Sequence, residues 1–301
     1  MKRINIAGLG LLVCCVGIQS QASIVYEGFD YTAGSTIPTQ GVAADGWNGT
    51  WTDAAGSSNP FAVTTGQTFG SLPVTGGAAQ RSSNGGKAAM SRTIDATAQS
   101  ALTADGSTTY FSVLMNAKND DVYAVAGAIS GTIAFGDASL QAVTDSDGNP
   151  TIASDGNAVG VGFDGNSPSY DTVRLQGICY VDGVTQADTT GGLTVGINNL
   201  QMVMGKVEWG ADGANDTVTL YSISDPSAGY TEADAFSTMS YDIDQSGFNM
   251  ITIGDSQSSV FDEIRFGTSA TDVGVIPEPA TLGLVGAFGA GILFVRRRFM
   301  I

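Results

Sequence analysis

The chain has 301 residues, with 29 acidic against 12 basic and no histidine. Without histidine, Ser-His-Asp and Cys-His catalysis and most zinc or copper sites are excluded. The carboxylate excess repels nucleic acid and anionic lipid headgroups, while 43% hydrophobic and only 14% charged residues let the chain bury a core rather than stay disordered.

The chain opens on Met1, Lys2 and Arg3, followed by an apolar run over residues 4–18. This is the charge and length pattern of a secretory signal peptide handled by the Sec machinery. Ser20 and Ala22 put small residues at the two positions a signal peptidase inspects, so cleavage is expected between Ala22 and Ser23. Neither Cys14 nor Cys15 is preceded by the small residue a lipoprotein signal requires, and both leave with the leader. Cys179 is then the only cysteine in the body and cannot form an intrachain disulfide; inside an apolar strand it reads as a small buried hydrophobe.

From residue 23 onward the pattern is short alternating runs separated by turn residues. Trp47 and Trp51 have even spacing and share a face if 46–52 is a strand. They are candidates for stacking on sugar rings, weighed against the commoner role of closing a core. Asp-Gly dipeptides begin at Asp45, Asp105, Asp147, Asp155, Asp164, Asp182 and Asp212, each a tight-turn signal because Gly accepts positive φ. In 109–117, Phe111, Val113 and Met115 fall on one face. In 200–209, Val203, Val207 and Trp209 fall opposite Met202, Met204, Lys206 and Glu208. Further strands are expected in 122–128, 159–163, 173–180, 216–223, 250–253 and 260–266. Only 94–102 suggests a helical turn. The chain is therefore expected to be all-β, a two-sheet sandwich.

Three constellations bear on chemistry. Asp145, Asp147 and Asn149 alternate like the opening of a calcium loop, but Pro150 and Gly156 stand where an EF-hand needs Gly and Glu. An EF-hand is rejected; a simpler structural calcium site stays open beside the preferred reading, a hairpin turn. Asn48-Gly49-Thr50 and Asn215-Asp216-Thr217 match the glycosylation pattern and read as turn chemistry. The body's glutamates are only Glu27, Glu208, Glu232 and Glu263. Asp262 and Glu263 are adjacent, so on a regular strand they should point to opposite faces. No local pair of carboxylates has the arrangement a glycosidase needs, and no motif implies a cofactor.

The last stretch has three parts: Pro277-Glu278-Pro279, an apolar segment over 280–295, and Arg296, Arg297 and Arg298. Sixteen helical residues span about 24 Å, short for a bilayer core of ~30 Å but tolerable with thinning and snorkelling. The arginines should stop transfer on the cytoplasmic side, and the prolines favour an extended, accessible motif. This order resembles the PEP-CTERM sorting signal of exported bacterial proteins. The resemblance implies recognition by exosortase, a membrane-embedded peptidase that removes the tail, and an association with exopolysaccharide and biofilm. Five basic residues and one acidic residue lie in the two terminal signals, which leaves the body at −21.

The body also resembles a concanavalin/laminin-G type jelly roll. The resemblance rests on Tyr26-Glu27-Gly28-Phe29-Asp30-Tyr31, Lys206-Val207-Glu208-Trp209, Asp216-Thr217-Val218-Thr219-Leu220-Tyr221, and the closing Phe261-Asp262-Glu263-Ile264-Arg265-Phe266-Gly267. It implies that the first and last strands pair, bringing Tyr26 beside Ile264. The expected organisation is a signal peptide over 1–22, a β-sandwich over 23–267, a linker over 268–276 and the sorting signal over 277–301. The expected function is that of an exported, non-enzymatic surface or extracellular-matrix protein, held transiently at the inner membrane and then passed to the cell surface or beyond. A carbohydrate-binding module is the alternative, and a glycoside hydrolase the third reading.

Overall fold

The computed structural model describes residues 23–54, 57–82, 86–118, 129–144, 150–164, 172–186, 188, 191–256 and 258–275. The two terminal signals, the 122–128 run and the 145–149 loop lie outside these residues. Among the described residues the strands form two eight-stranded sheets, antiparallel at every pairing, and one separate two-stranded hairpin.

The first sheet runs Ala235–Tyr241, Asp216–Ile223, Gln201–Glu208, Thr108–Asn116, Val260–Gly267, Gly77–Arg81, Phe61–Thr65, with Val25–Glu27 added on Val260–Gly267. The second runs Val184–Gln186, Thr172–Val181, Ala158–Asp164, Ile129–Gly136, Met250–Asp255, Ala88–Ile94, Trp47–Asp53, with Leu193–Gly196 on Thr172–Val181. The first and last strands do pair, with Tyr26 opposite Arg265 and Glu27 opposite Ile264. Asp182 (φ 50°) and Gly183 (φ 76°) make the two-residue turn between Thr172–Val181 and Val184–Gln186. Positive φ at both central positions matches the right-handed twist of the strands.

The core between the sheets is filled as the alternation requires. Phe111, Val113, Met115, Val203, Val207 and Trp209 from the first sheet meet Ile133, Phe135, Val161, Leu175 and Ile253 from the second. Gly205 lies opposite Phe111, and that ring stacks on Phe266 at 5.6 Å. A Cβ at Gly205 would stand 2.1 Å from the Phe111 ring. Gly205→Ala is therefore expected to cost about 1–3 kcal/mol through overpacking, read as a lowered urea midpoint. The helix Ala96–Leu102 closes one edge of the core with Ala98 and Leu102, and is started by Asp95, whose carboxylate accepts from the Ala98 N–H at 2.8 Å.

Both sheets are also covered on their outer faces, which explains why Ala158–Asp164 and Val260–Gly267 are buried along their whole length. The hairpin of Gln141–Thr144 with Pro150–Ala153 lays Ala142 and Ile152 over Ala134, Ala158, Ile178 and Tyr180. On the first sheet, Leu72, Ala270, Val273 and Val275 cover Leu114, Met202, Met204, Tyr221 and Ile223. This corrects the expected linker over 268–276. Its described part, 268–275, is a strap packed on the domain, with Val273 and Val275 fully buried and the Ser112 hydroxyl bonded to the Val273 carbonyl at 2.7 Å. Its Ser, Thr, Gly and Asp residues form turns that aim the apolar ones inward, so polar composition did not make it a spacer.

Candidate functional site

A cleft of about 560 Å³ opens where the first strand meets the 39–45 loop, lined by Tyr26, Glu27, Asp30, Tyr31, Gln40 and Arg92 among others. Its floor is held by Glu27, which is buried. One carboxylate oxygen accepts the Phe29 N–H at 2.8 Å. The other accepts the Trp51 Nε1–H at 2.9 Å, the Tyr31 hydroxyl at 2.8 Å and Arg92 Nη1 at 2.6 Å. Arg92 in turn donates to the Gly49 and Val42 carbonyls at 2.9 and 2.6 Å and lies 4.5 Å from the centre of the Trp47 ring. Burial first, and the adjacent Glu27 charge second, push the Tyr31 hydroxyl well above its ordinary pKa. It stays a neutral donor. Asp30 and Asp45 are exposed at the rim, with Tyr26 and Tyr31 half-buried.

Trp47 and Trp51 do share a side, but the structure turns that side inward. They are 3% and 0% exposed, pack at 5.5 Å centroid to centroid, and Trp51 stacks on Phe29. The sugar-stacking role expected of these two indoles is corrected accordingly: Trp51 is fully enclosed, and Trp47, although it borders the cleft, is covered by Arg92 and leaves too little of its ring open to receive a pyranose. The half-buried tyrosines of the cleft were missed as candidates, although the run from Tyr26 to Tyr31 carried the signal.

A second correction concerns Asp262 and Glu263. The strand Val260–Gly267 breaks register between Asp262 and Arg265, and Glu263 sits at φ 52°. This bulge turns both carboxylates to one side. Asp262 accepts the Gln67 N–H at 2.7 Å and Glu263 accepts the Thr75 N–H at 2.7 Å, so the pair holds both ends of the 66–76 loop. Glu263 also receives the Tyr26 hydroxyl at 3.1 Å and Arg265 Nη2 at 2.5 Å. Burial pushes Asp262 up to about 8. Both side chains are fully buried, so the pair is shut off from solvent beneath the loop it anchors.

A third feature is an acidic cleft of about 570 Å³ among turns, lined by Asp105, Asp182, Asp212, Asp216, Asp242 and Asp244. Asp216 is committed to the Gly210 and Ile243 N–H groups at 2.8 and 2.9 Å, and Asp105 to Gln245 at 2.8 Å. Among the described residues, no three carboxylate, thiol or imidazole groups converge as a metal-ligand set. Cys179 is buried in its strand and its thiol is pushed up to about 12, by burial and then by Asp216. Ser23 is described at the first sheet's edge. Ala22, Pro277, Glu278, Pro279, Arg296, Arg297 and Arg298 lie outside the described residues, and among the described ones no helix is long and apolar enough to cross a membrane.

No protein-family model and no curated protein matches this chain. Among solved structures it is similar to the globular domain of T. cruzi calreticulin, at 10% identity and a TM-score of 0.46, covering 84% of this chain and 90% of that one. It is also similar to peanut lectin with a nine-residue peptide, at 14% identity and a TM-score of 0.37, covering 80% and 96%. A third is the exoplasmic/lumenal domain of VIP36 in its Ca2+/Man-bound form, at 9% identity and a TM-score of 0.36, covering 78% and 88%.

Proposed function

We propose that this chain is an exported, non-enzymatic surface or extracellular-matrix protein, sorted by an exosortase-type peptidase and associated with exopolysaccharide. The observation that carries the reading is the ordered C-terminal signature, with Pro277-Glu278-Pro279, the apolar 280–295 segment and Arg296 to Arg298 in sequence behind an N-terminal leader. One structural fact is in keeping with it: the two ends of the described body lie together, the Ser23 hydroxyl donating to the Asp272 carbonyl at 2.6 Å, so that a leader and a tail would leave the domain from one place. A non-enzymatic role is favoured because Glu27, Asp262 and Glu263 are all buried and occupied by internal hydrogen bonds.

Replacing Pro277, Glu278 and Pro279 by alanine is expected to leave an uncleaved, membrane-retained chain, detected by fractionation and by mass spectrometry of both termini. Processing that continues unchanged would sink the sorting proposal.

Carbohydrate binding is the second reading, favoured by the cleft at Glu27. Its volume lies in the range of small-ligand sites, and it joins two half-buried tyrosine rings with Asp30, Gln40 and Asp45 at the mouth. Asp30→Ala with Gln40→Ala should reduce polysaccharide pull-down at least tenfold with an unchanged melting temperature. Undiminished binding would move any glycan site elsewhere.

A further inference from the structure

We infer that the α-ammonium group created at Ser23 when the leader is removed docks on Asp272 and closes the 268–275 strap onto the domain. The inference rests on the export reading, with cleavage between Ala22 and Ser23. Hydrolysis of that amide consumes one water and leaves a carboxylate on Ala22 and an amine on Ser23, protonated below its usual pKa of about 8. A neutral amide N–H thereby becomes a cation with three donors.

Asp272 is the group that lacks such a partner. It is 5% exposed. Its Oδ2 accepts the Thr268 and Ser269 N–H groups at 3.0 and 2.9 Å, which folds the strap's first turn. Its Oδ1 is buried with no hydrogen-bond partner, a costly condition for a carboxylate oxygen. Asp272 takes part in none of the ion pairs among the described residues. The cation on the neighbouring strand, Arg265, is already engaged by Glu263 and the Pro73 carbonyl.

Ser23 is placed to supply the missing donor. Its hydroxyl already reaches the Asp272 carbonyl, and the Ile24 N–H is fixed on the Phe266 carbonyl at 2.8 Å. The α-nitrogen is three bonds from that hydroxyl. In a body carrying seven basic residues against 28 acidic ones, the new terminus is one further cation. The strap it would fasten buries Ala270, Val273 and Val275 and ends two residues before Pro277, so removal of the leader tightens the segment beside the sorting motif.

The test uses the chain from Ser23 to Ile301 in detergent, with its α-amine free or acetylated, in the wild type and in Asp272→Asn. Acetylation of the wild type is expected to lower the melting temperature by about 5 °C and to speed amide exchange at 270–275 at least tenfold. In Asp272→Asn it should change neither. Equal behaviour of the free and acetylated wild type, or the same loss in Asp272→Asn, overturns the proposal, and the wild-type comparison stands even if the variant fails to fold. Mass spectrometry of the exported protein's N-terminus separately decides whether the cell cuts before Ser23. A chain made to begin there tests the docking whatever that result.

Discussion

Glu27→Ala is expected to be among the most damaging single substitutions in the chain, lowering stability by about 3–5 kcal/mol. The carboxylate is the common acceptor for four donors drawn from three segments: Phe29 N–H, Tyr31 hydroxyl, Trp51 Nε1–H and Arg92 Nη1. Deleting it strands a buried guanidinium whose other donors are fixed on backbone carbonyls, together with a buried indole N–H. An uncompensated buried charge is the expensive part, because the Arg92–Glu27 pair itself gains little over a well-packed apolar pair. Glu27→Gln should therefore remain costly, since it keeps the shape and removes the charge. Arg92→Met added to Glu27→Gln should restore part of the loss. Urea unfolding of the four proteins measures this. A loss under about 1 kcal/mol for Glu27→Ala would show that water, not Glu27, satisfies those donors. In the same variant the Tyr31 hydroxyl should titrate at lower pH, since the Glu27 charge that raises it is gone.

Sequence patterns revealed which residues share a face, but not what covers that face. Met202, Met204, Val203, Val207 and Trp209 divided as alternation demanded, because a half-buried strand leaves that mark locally. The pairing of Val25–Glu27 with the last strand was also legible, through the resemblance of both ends. The outer coverings were not. Val273 and Val275 sit among Gly, Thr and Asp with no period, and their partners Met202 and Tyr221 are far away in sequence. The bulge at Glu263 was hidden for a related reason: nothing in Asp262-Glu263-Ile264 announces a non-glycine residue at positive φ. Only the 66–76 loop, bound to both carboxylates across more than 180 residues, shows why the strand deforms there. Trp47 and Trp51 illustrate the remaining gap. Even spacing placed them on one side, but whether that side met solvent or core depended on Phe29 and Glu27, which come from another strand and the turn beyond it.

The stability of this protein should fall as pH rises from about 5 to 9, and Asp262 should account for about 2–4 kcal/mol of that fall. The cause is its burial, which outweighs the two backbone N–H groups that favour its charged form, from Gln67 at 2.7 Å and Glu263 at 2.8 Å. The nearby Glu263 charge adds to the rise, and Arg265 opposes it. The sign follows from proton binding. Between an unfolded pKa near 4 and a folded pKa of about 8, the native state holds a proton that the unfolded chain has released, so raising the pH favours unfolding. The stabilisation is complete below the lower value and gone above the upper one. Asp262→Asn separates this from the general repulsion among the body's carboxylates, because it fixes the site in a neutral form without altering the rest. At pH 5 the variant should be no more stable than the wild type, since its amide cannot accept both backbone N–H groups. At pH 9 it should be the more stable of the two, and the curves should cross between. Parallel curves from urea midpoints at pH 5, 7 and 9 and constant ionic strength would mean that Asp262 is charged throughout. The 66–76 loop would then be held by a true carboxylate clamp rather than by a neutral acid.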